Sequence, residues 1–307
     1  MSYIVITGPT ASGKTHKAVA LARAVGGEII SADSRQVFKG MDIGSGKDIS
    51  EYGSVPYHLI DIRPAGYKYN LYEFLRDEFE ARAKIISRGH TPILCGGTGL
   101  YVESVIKGVQ LPEVPENTEL RTSLCGKSMA ELADILGKMK MLHNVTDLDT
   151  AQRAIRAIEI QQYYEDHPDE ALAALTPQPL RDCVVISIFI DRDSRRQLIS
   201  TRLKKRLNDG MVDEVRRLLD DGVNPQTLIN YGLEYKYLTL YLTGHLEYNE
   251  MVRQLEIAIH QFAKRQMTWF RGMERRGITL HWFPWDAPED EFIDFTKTLI
   301  MPNETSC

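Results

Sequence analysis

Short apolar runs alternate with stretches of helical period through the first third of the chain. Residues 3–7 (YIVIT) form a β-branched run that ends in a glycine-rich turn. Ala18, Leu21, Ala22 and Val25 then recur at helical spacing, and Gly26 and Gly27 stop the pattern. Residues 28–32, 57–62 and 91–95 read as further strands, with a long helix over 70–89 between the last two. Strands alternating with helices predict a parallel sheet with helices on both faces. From 113 to 180 the rhythm breaks: helical stretches, one of them over 150–164, appear without a convincing strand. Residues 184–190 (VVISIFI) restore a core strand, helices dominate from Asp191, and 278–283 (ITLHWF) reads as a late strand. The expected organisation is an α/β core over 1–112 and 181–307, with an all-helical insertion over 113–180.

Composition narrows the class. Hydrophobic residues make up 43% and charged residues 26% of 307, which excludes disordered and fibrous chains. No apolar run approaches the roughly 20 residues that span a membrane, and MSYIVITGPT carries no secretory signal. Cys95, Cys125, Cys183 and Cys307 are scattered without paired spacing, so free thiols in a cytoplasmic protein are expected. The formal net charge is −5, and the stretch 113–180 holds 12 acidic against 6 basic side chains. A polyanionic partner would need a local basic patch.

The strongest chemical signal is Gly8, Pro9, Thr10, Ala11, Ser12, Gly13, Lys14 and Thr15, a G-x-x-x-x-G-K-T loop between a strand and a helix. Its backbone amides and the helix N-terminus form an anion cradle, Lys14 adds a point charge, and the Thr15 hydroxyl suits Mg²⁺. It reports a polyphosphate, not a particular one. Asp33 follows the second strand and so faces the same sheet edge. Its carboxylate suits a metal or proton-acceptor role, and equally a helix cap. Gly96, Gly97, Thr98 and Gly99 line that edge too, although a strand-to-helix turn needs glycines anyway. Asp61 is the nearest approach to an acidic residue ending an apolar strand. Over 249–276 a 28-residue helical pattern carries an apolar stripe with Phe262, Trp269 and Phe270, and six Lys/Arg from Arg253 to Arg276. It fits a phosphate backbone or a plain solvated face. Arg153 with Arg156, and Arg202 with Arg206, are helical neighbours that suit a phosphate-closing lid or ordinary surface charge.

Taken in order, GPTASGKT, SADSRQVF, KGMDIG, YHLIDI, GGTGLYVESVIKG, QRAIRAIE and AKRQMTWFR resemble the blocks of bacterial-type tRNA dimethylallyltransferases, the isopentenyl-tRNA transferases, along almost the whole chain. The resemblance implies a P-loop NTPase-like core, and an insertion that grips the anticodon stem-loop. It implies transfer of a dimethylallyl group from its diphosphate to N6 of adenosine 37, 3′ of the anticodon, in tRNAs reading codons that begin with U. It casts Asp33 as general base, Thr98 as a hydrogen-bonding partner of that carboxylate or of the base, and Arg206 as a catalytic cation. It assigns tRNA contacts to Asp33, Ser34, Arg35, Gln36, Val37, Phe38, Thr98, Arg121, Gln152, Arg153, Arg156, Tyr231, Gly232 and Tyr235. The implied partners are tRNA, dimethylallyl diphosphate and Mg²⁺, with a cytoplasmic monomer and no membrane. Three blocks depart from the pattern: Gly44-Ser45-Gly46-Lys47-Asp48, Phe38, and the segment from Asn230 to Lys236. The competing reading is a P-loop small-molecule kinase using ATP.

Overall fold

The computed structural model describes residues 2–141 and 145–300. In chain order the first elements are β1 (Tyr3–Thr7), α1 (Lys14–Val25), β2 (Gly27–Ser31), β3 (Tyr57–His58), α2 (Leu71–Ser87), β4 (Thr91–Gly96) and α3 (Gly99–Ile106). Four helices follow: α4 (Thr118–Leu124), α5 (Met129–Met139), α6 (Ala151–Asp166) and α7 (Pro168–Leu175). Then come β5 (Cys183–Phe189), α8 (Arg192–Asn208), α9 (Met211–Asp220), α10 (Pro225–Tyr231), α11 (Leu233–Leu242), α12 (Tyr248–Arg275), β6 (His281–Pro284) and α13 (Glu289–Ile300). The chain divides into two compact units, residues 1–106 with 180–307, and residues 107–179.

In the larger unit all strand pairs are parallel, and the order is β3-β2-β4-β1-β5-β6. The strands are nearly continuous apolar runs because helices cover both faces. Alternate residues go opposite ways: Val5, Ile30, Leu94 and Val185 join one core, whose helical side includes Phe74, Val102 and Phe270. Ile4, Ile6, Ile29, Ile93, Ile186 and Ile188 join the other, with Leu21 and Phe292. A third core packs α8 to α12 around Leu203, Leu255 and Tyr235. Helix α2 begins at a capping box in which Asn70 and Glu73 satisfy each other's backbone amides.

The strand expected over 57–62 is only two residues long. Leu59 and Asp61 take positive φ of 62° and 57°, so the backbone turns out of the ladder. Leu59 and Ile60 still bury into opposite cores, which preserves the strand-like apolar pattern. The last strand lies at His281–Pro284 instead of 278–283, and it pairs with β5.

The smaller unit starts at Lys107, earlier than the expected boundary at 113. Its described elements are helical, and Leu124, Leu132, Leu136 and Ile158 form its core. Glu159, 2% exposed, sits at one side of that core. It accepts from the Asn117 amide (2.6 Å), from Arg121 through two nitrogens (2.9 Å each) and from Arg156. Burial alone would raise this carboxyl; the Arg121, Arg156 and amide hydrogen bonds outweigh it and hold it below the ordinary carboxylate range. Cys95, Cys125 and Cys183 are free thiols; Cys307 lies outside the described residues.

Candidate active site

The loop after β1 turns back into α1 through Gly13, at φ 73°, and α1 opens on Lys14 with its first amides unsatisfied within the helix. The dipole and those amides make the loop an anion site before any side chain is counted. A cavity of about 420 Å³ lies over this loop at the carboxyl edge of the sheet, and the whole of it belongs to the larger unit. Thr10, Lys14 and Thr15 line it from the loop, Asp33 to Gln36 from the end of β2, and Gly96 to Gly99 from the end of β4. Arg202 and Arg206 enter from α8, Glu234 from α11, and Phe262, Arg265, Gln266 and Trp269 from α12. Parallel strands converge these loops on one edge, which is where open α/β sheets bind ligands.

The electrostatics of the cavity ask for an anion. Burial lowers the Lys14 pKa, with the Arg202 and Arg206 charges adding to the effect. Burial likewise lowers Arg206, and Arg202 pushes the same way. Arg206 is only weakly neutralised, with the Gly44 carbonyl at 3.4 Å and the Glu234 carboxylate at 4.0 Å. The Glu234 carboxyl is raised, chiefly by burial. Arg202 is paired with Asp48 at 2.8 Å, whereas Lys14 and Arg206 have little counter-charge, and these two gain most when a dianionic or trianionic group enters.

Asp33 is not a helix cap. Its Oδ1 accepts the Arg35 amide at 2.8 Å, which closes a local turn and leaves the carboxylate on the cavity wall. Thr98 does not hold that carboxylate: its Oγ1 accepts the Ser34 amide at 3.2 Å and so ties the β2 and β4 loops together. Gln36 orders the same corner, accepting from the Ser31 hydroxyl (2.7 Å) and donating to the Gly46 carbonyl (3.1 Å). Gly46 has φ 66°, and a Cβ there would lie 1.7 Å from an Arg206 nitrogen, so Arg206 packs against a bare α-carbon.

Several expected RNA contacts are structural side chains. Val37, Phe38 and Tyr235 are no more than 1% exposed. Phe38 stacks on Tyr231 at 4.3 Å, the Tyr231 hydroxyl is held by the Gly66 amide and the Tyr67 carbonyl, and the Tyr235 hydroxyl donates to Glu214. These side chains can shape a contact surface but cannot form it. Gly232 does line the cavity, and Arg35 lies over the Tyr231 ring. In the smaller unit, Arg121 and Arg156 share Glu159, and Arg153 pairs with Asp149 at 2.7 Å; Gln152 is exposed. Asp61 is engaged by the buried Lys47, which also binds the Phe38 carbonyl and Asp42, and so it is no metal ligand of the phosphate loop.

Two contributions were not legible beforehand. Gln266 accepts the Thr10 amide (2.9 Å) and donates to the Gly97 carbonyl (2.8 Å), bracing both glycine-rich loops from α12. Phe262 and Trp269 are not core: at 38% and 39% exposure they give the cavity an apolar, aromatic side. Gln266 lies three residues before Trp269 and four after Phe262, so one helical face is marked by all three once the pocket is known.

Known proteins agree with this geometry. The IPP transferase family model matches residues 36–273, and the isopentenyl transferase model matches residues 1–52. The tRNA dimethylallyltransferase 2 of Bacteroides fragilis is 57% identical over 96% of both chains. The tRNA dimethylallyltransferase 1 of Porphyromonas gingivalis is 54% identical over 98% of this chain and 99% of its own. The full-length tRNA isopentenylpyrophosphate transferase of Bacillus halodurans superposes with a TM-score of 0.71 at 30% identity, over 98% of this chain and 97% of that one. With a family model spanning most of its length and relatives more than half identical nearly end to end, the chain belongs to the IPP transferase family.

Proposed function

We propose that the protein is a tRNA dimethylallyltransferase, moving the dimethylallyl group of dimethylallyl diphosphate to N6 of adenosine 37 in tRNAs that read codons beginning with U. The observation that carries this reading is the convergence of Lys14, Arg202 and Arg206 on the phosphate loop beneath an apolar aromatic wall. Such a cavity matches a short hydrocarbon chain bonded to a diphosphate. The curated relatives favour it over the ATP-dependent kinase.

In the reaction the bond from the allylic carbon to the diphosphate oxygen breaks and a bond to N6 forms. Lys14, Arg206 and the loop amides stabilise the charge that grows on the leaving diphosphate. Asp33, on the facing wall, accepts the proton that the amine loses. Phe262 and Trp269 keep water from the allylic carbon, and the target adenine must leave its stack to reach the cavity. The oxygens available beside the loop, the Thr15 hydroxyl and the Asp33 carboxylate, are hard donors that suit Mg²⁺ shared with substrate phosphates. Among the described residues no cluster of three or more acidic, histidine or cysteine side chains offers a metal cage of its own. Bound there, the ion would offset charge on the leaving diphosphate. Arg121, Gln152, Arg153 and Arg156 are retained as proposed tRNA contacts through the edges of their side chains that Glu159 and Asp149 leave exposed.

The test is label transfer. Dimethylallyl diphosphate labelled in its alkyl group, incubated with unmodified tRNA, should place label in RNA and release diphosphate without ATP. Phosphate transfer from ATP to a small acceptor, with no label in RNA, would establish the kinase instead.

A further inference from the structure

Beside the cavity, α8 and α12 run together and enclose a shallow groove of about 500 Å³, lined by Arg196, Gln197, Ser200, Thr201, Ile257 and His260 among others. Helix α8 starts three residues beyond the end of β5, at the same edge of the sheet as the phosphate loop. Its first turns carry Arg192, Arg195 and Arg196. The facing row of α12 carries His260, Lys264 and Arg271, spaced by four and seven residues, on one helical side.

The cations around these helices fall into two groups. Arg253 is neutralised by Glu250 and Arg276 by Glu103. Among the described residues, Arg192, Arg195, Arg196, Lys264 and Arg271 have no carboxylate within ion-pair distance, and all but the half-buried Arg195 are exposed. The one acid on the groove floor, Glu256, is engaged by the Ser200 hydroxyl. Arg195 feels its neighbours: burial, then Arg192 and Arg271, lower its pKa, and burial, then Arg196, lower that of the adjacent His260 despite Glu256 at 3.9 Å. A chain of net charge −5 keeps this concentration of unpaired positive charge at the cavity edge, against its own repulsion. Exposed aromatics flank it, Phe189 at the end of β5 and Phe262 on α12.

We infer that the α8–α12 face is a docking surface for a ribose-phosphate backbone, with Arg192, Arg195 and Arg196 joining Lys264 and Arg271 in holding RNA whose reactive base enters the neighbouring cavity. The inference rests on the RNA-modifying reading above and adds to it a surface on α8. Guanidinium forks bind phosphate oxygens bidentately, and a repeating anion relieves several repulsions at once. A lipid surface fits less well, because the exposed apolar groups here, Ile257, Phe189 and Phe262, are too few to enter a bilayer interface.

The test compares full-length wild type with R192A/R195A/R196A, and with R196E alone, whose exposed site leaves the fold intact. Affinity for unmodified tRNA is measured against salt, with dimethylallyl diphosphate affinity and thermal midpoint on the same samples. The triple variant should bind tRNA roughly 10- to 100-fold more weakly near 0.1 M salt and lose about two units of salt slope. R196E should lose at least the weakening of one phosphate contact. Diphosphate affinity should stay unchanged in both. Affinity and slope within twofold of wild type would overturn the inference. So would unchanged tRNA binding with lost binding to phosphatidylglycerol vesicles, which would make the face a lipid surface. If the variants weaken tRNA binding but wild type transfers no dimethylallyl group, the docking surface stands and the proposed reaction falls.

Discussion

Asp33 keeps its position through a hydrogen bond that an amide can also accept: Oδ1 to the Arg35 backbone N–H. Asp33→Asn therefore removes the proton acceptor without removing the turn. Transfer should fall by roughly 10²–10⁴-fold with tRNA affinity and thermal midpoint unchanged; near wild-type turnover in a single-turnover assay would reduce Asp33 to a turn residue. Arg206→Ala acts on leaving-group charge, so the loss should appear in kcat as well as in diphosphate KM. A change confined to tRNA affinity would move Arg206 out of the reaction. Lys14 and Asp33 could be located at the cavity from motif and position, a phosphate loop and an acid at a strand's carboxyl end, whereas Arg206 was singled out by the family resemblance. For Thr98, sequence position says which edge it lines but not that its hydroxyl oxygen meets the Ser34 amide. Phe38 and Tyr235 sit within blocks that resemble RNA-contacting segments, yet their side chains pack inward, since a conserved-looking block mixes scaffold with contact.

The loop from Asp42 to Gly46 shows how an element places a reacting group. Buried Glu214 accepts the Asp42, Ile43 and Gly44 amides at 2.8, 2.6 and 3.0 Å, and the Tyr235 hydroxyl at 2.9 Å. That clamp fixes Gly44 and Gly46, against which Arg206 rests. Gly46→Ala combines a left-handed backbone cost of about 1 kcal/mol with a clash that displaces Arg206 most, and Arg202 beside it. Turnover should fall several-fold or more while the thermal midpoint shifts little; unchanged turnover would show that Arg206 acts from elsewhere. This loop departs from the family-like block at Gly44–Asp48, and nothing in its sequence announces the clamp, because Glu214 lies far along the chain. The central strands and the helices α1, α2, α6 and α12 were readable from apolar period, whereas the division of the later helical stretch into α8 to α11 was not. The two-residue β3 was not, because Leu59 and Asp61 leave the ladder while the apolar pattern continues.

At the scale of the molecule, each unit carries a buried carboxylate held by more than one cation. Glu28 in the sheet unit is bound by Arg88, His58 and His90, and Glu159 in the helical unit by Arg121 and Arg156. Burial opposes ionisation of Glu28, but the Arg88, His58 and His90 hydrogen bonds prevail and bring its pKa to about 2. Depressed folded values mean that both groups contribute stability above the unfolded pKa of about 4.5, and that this contribution is lost as pH falls toward the folded values. The thermal midpoint should decline as pH falls from about 5 toward 3, and Glu28→Gln should start lower and decline less steeply. A parallel decline would remove Glu28 from the acid response. Glu159→Ala strands two arginines and the Asn117 amide, and should cost the helical unit about 2–3 kcal/mol in denaturant unfolding.

The proposed reaction joins a prenyl diphosphate to one adenine of a tRNA in the cavity above the phosphate loop. The most direct measurement is mass spectrometry of nucleosides from unmodified tRNA after incubation with the protein and dimethylallyl diphosphate, run beside Lys14→Ala. Wild type should give N6-(dimethylallyl)adenosine at the single adenosine 3′ of the anticodon, and Lys14→Ala should lose it almost completely. Unmodified adenosine with wild-type protein that binds both substrates, or equal modification by Lys14→Ala, would contradict the proposed reaction.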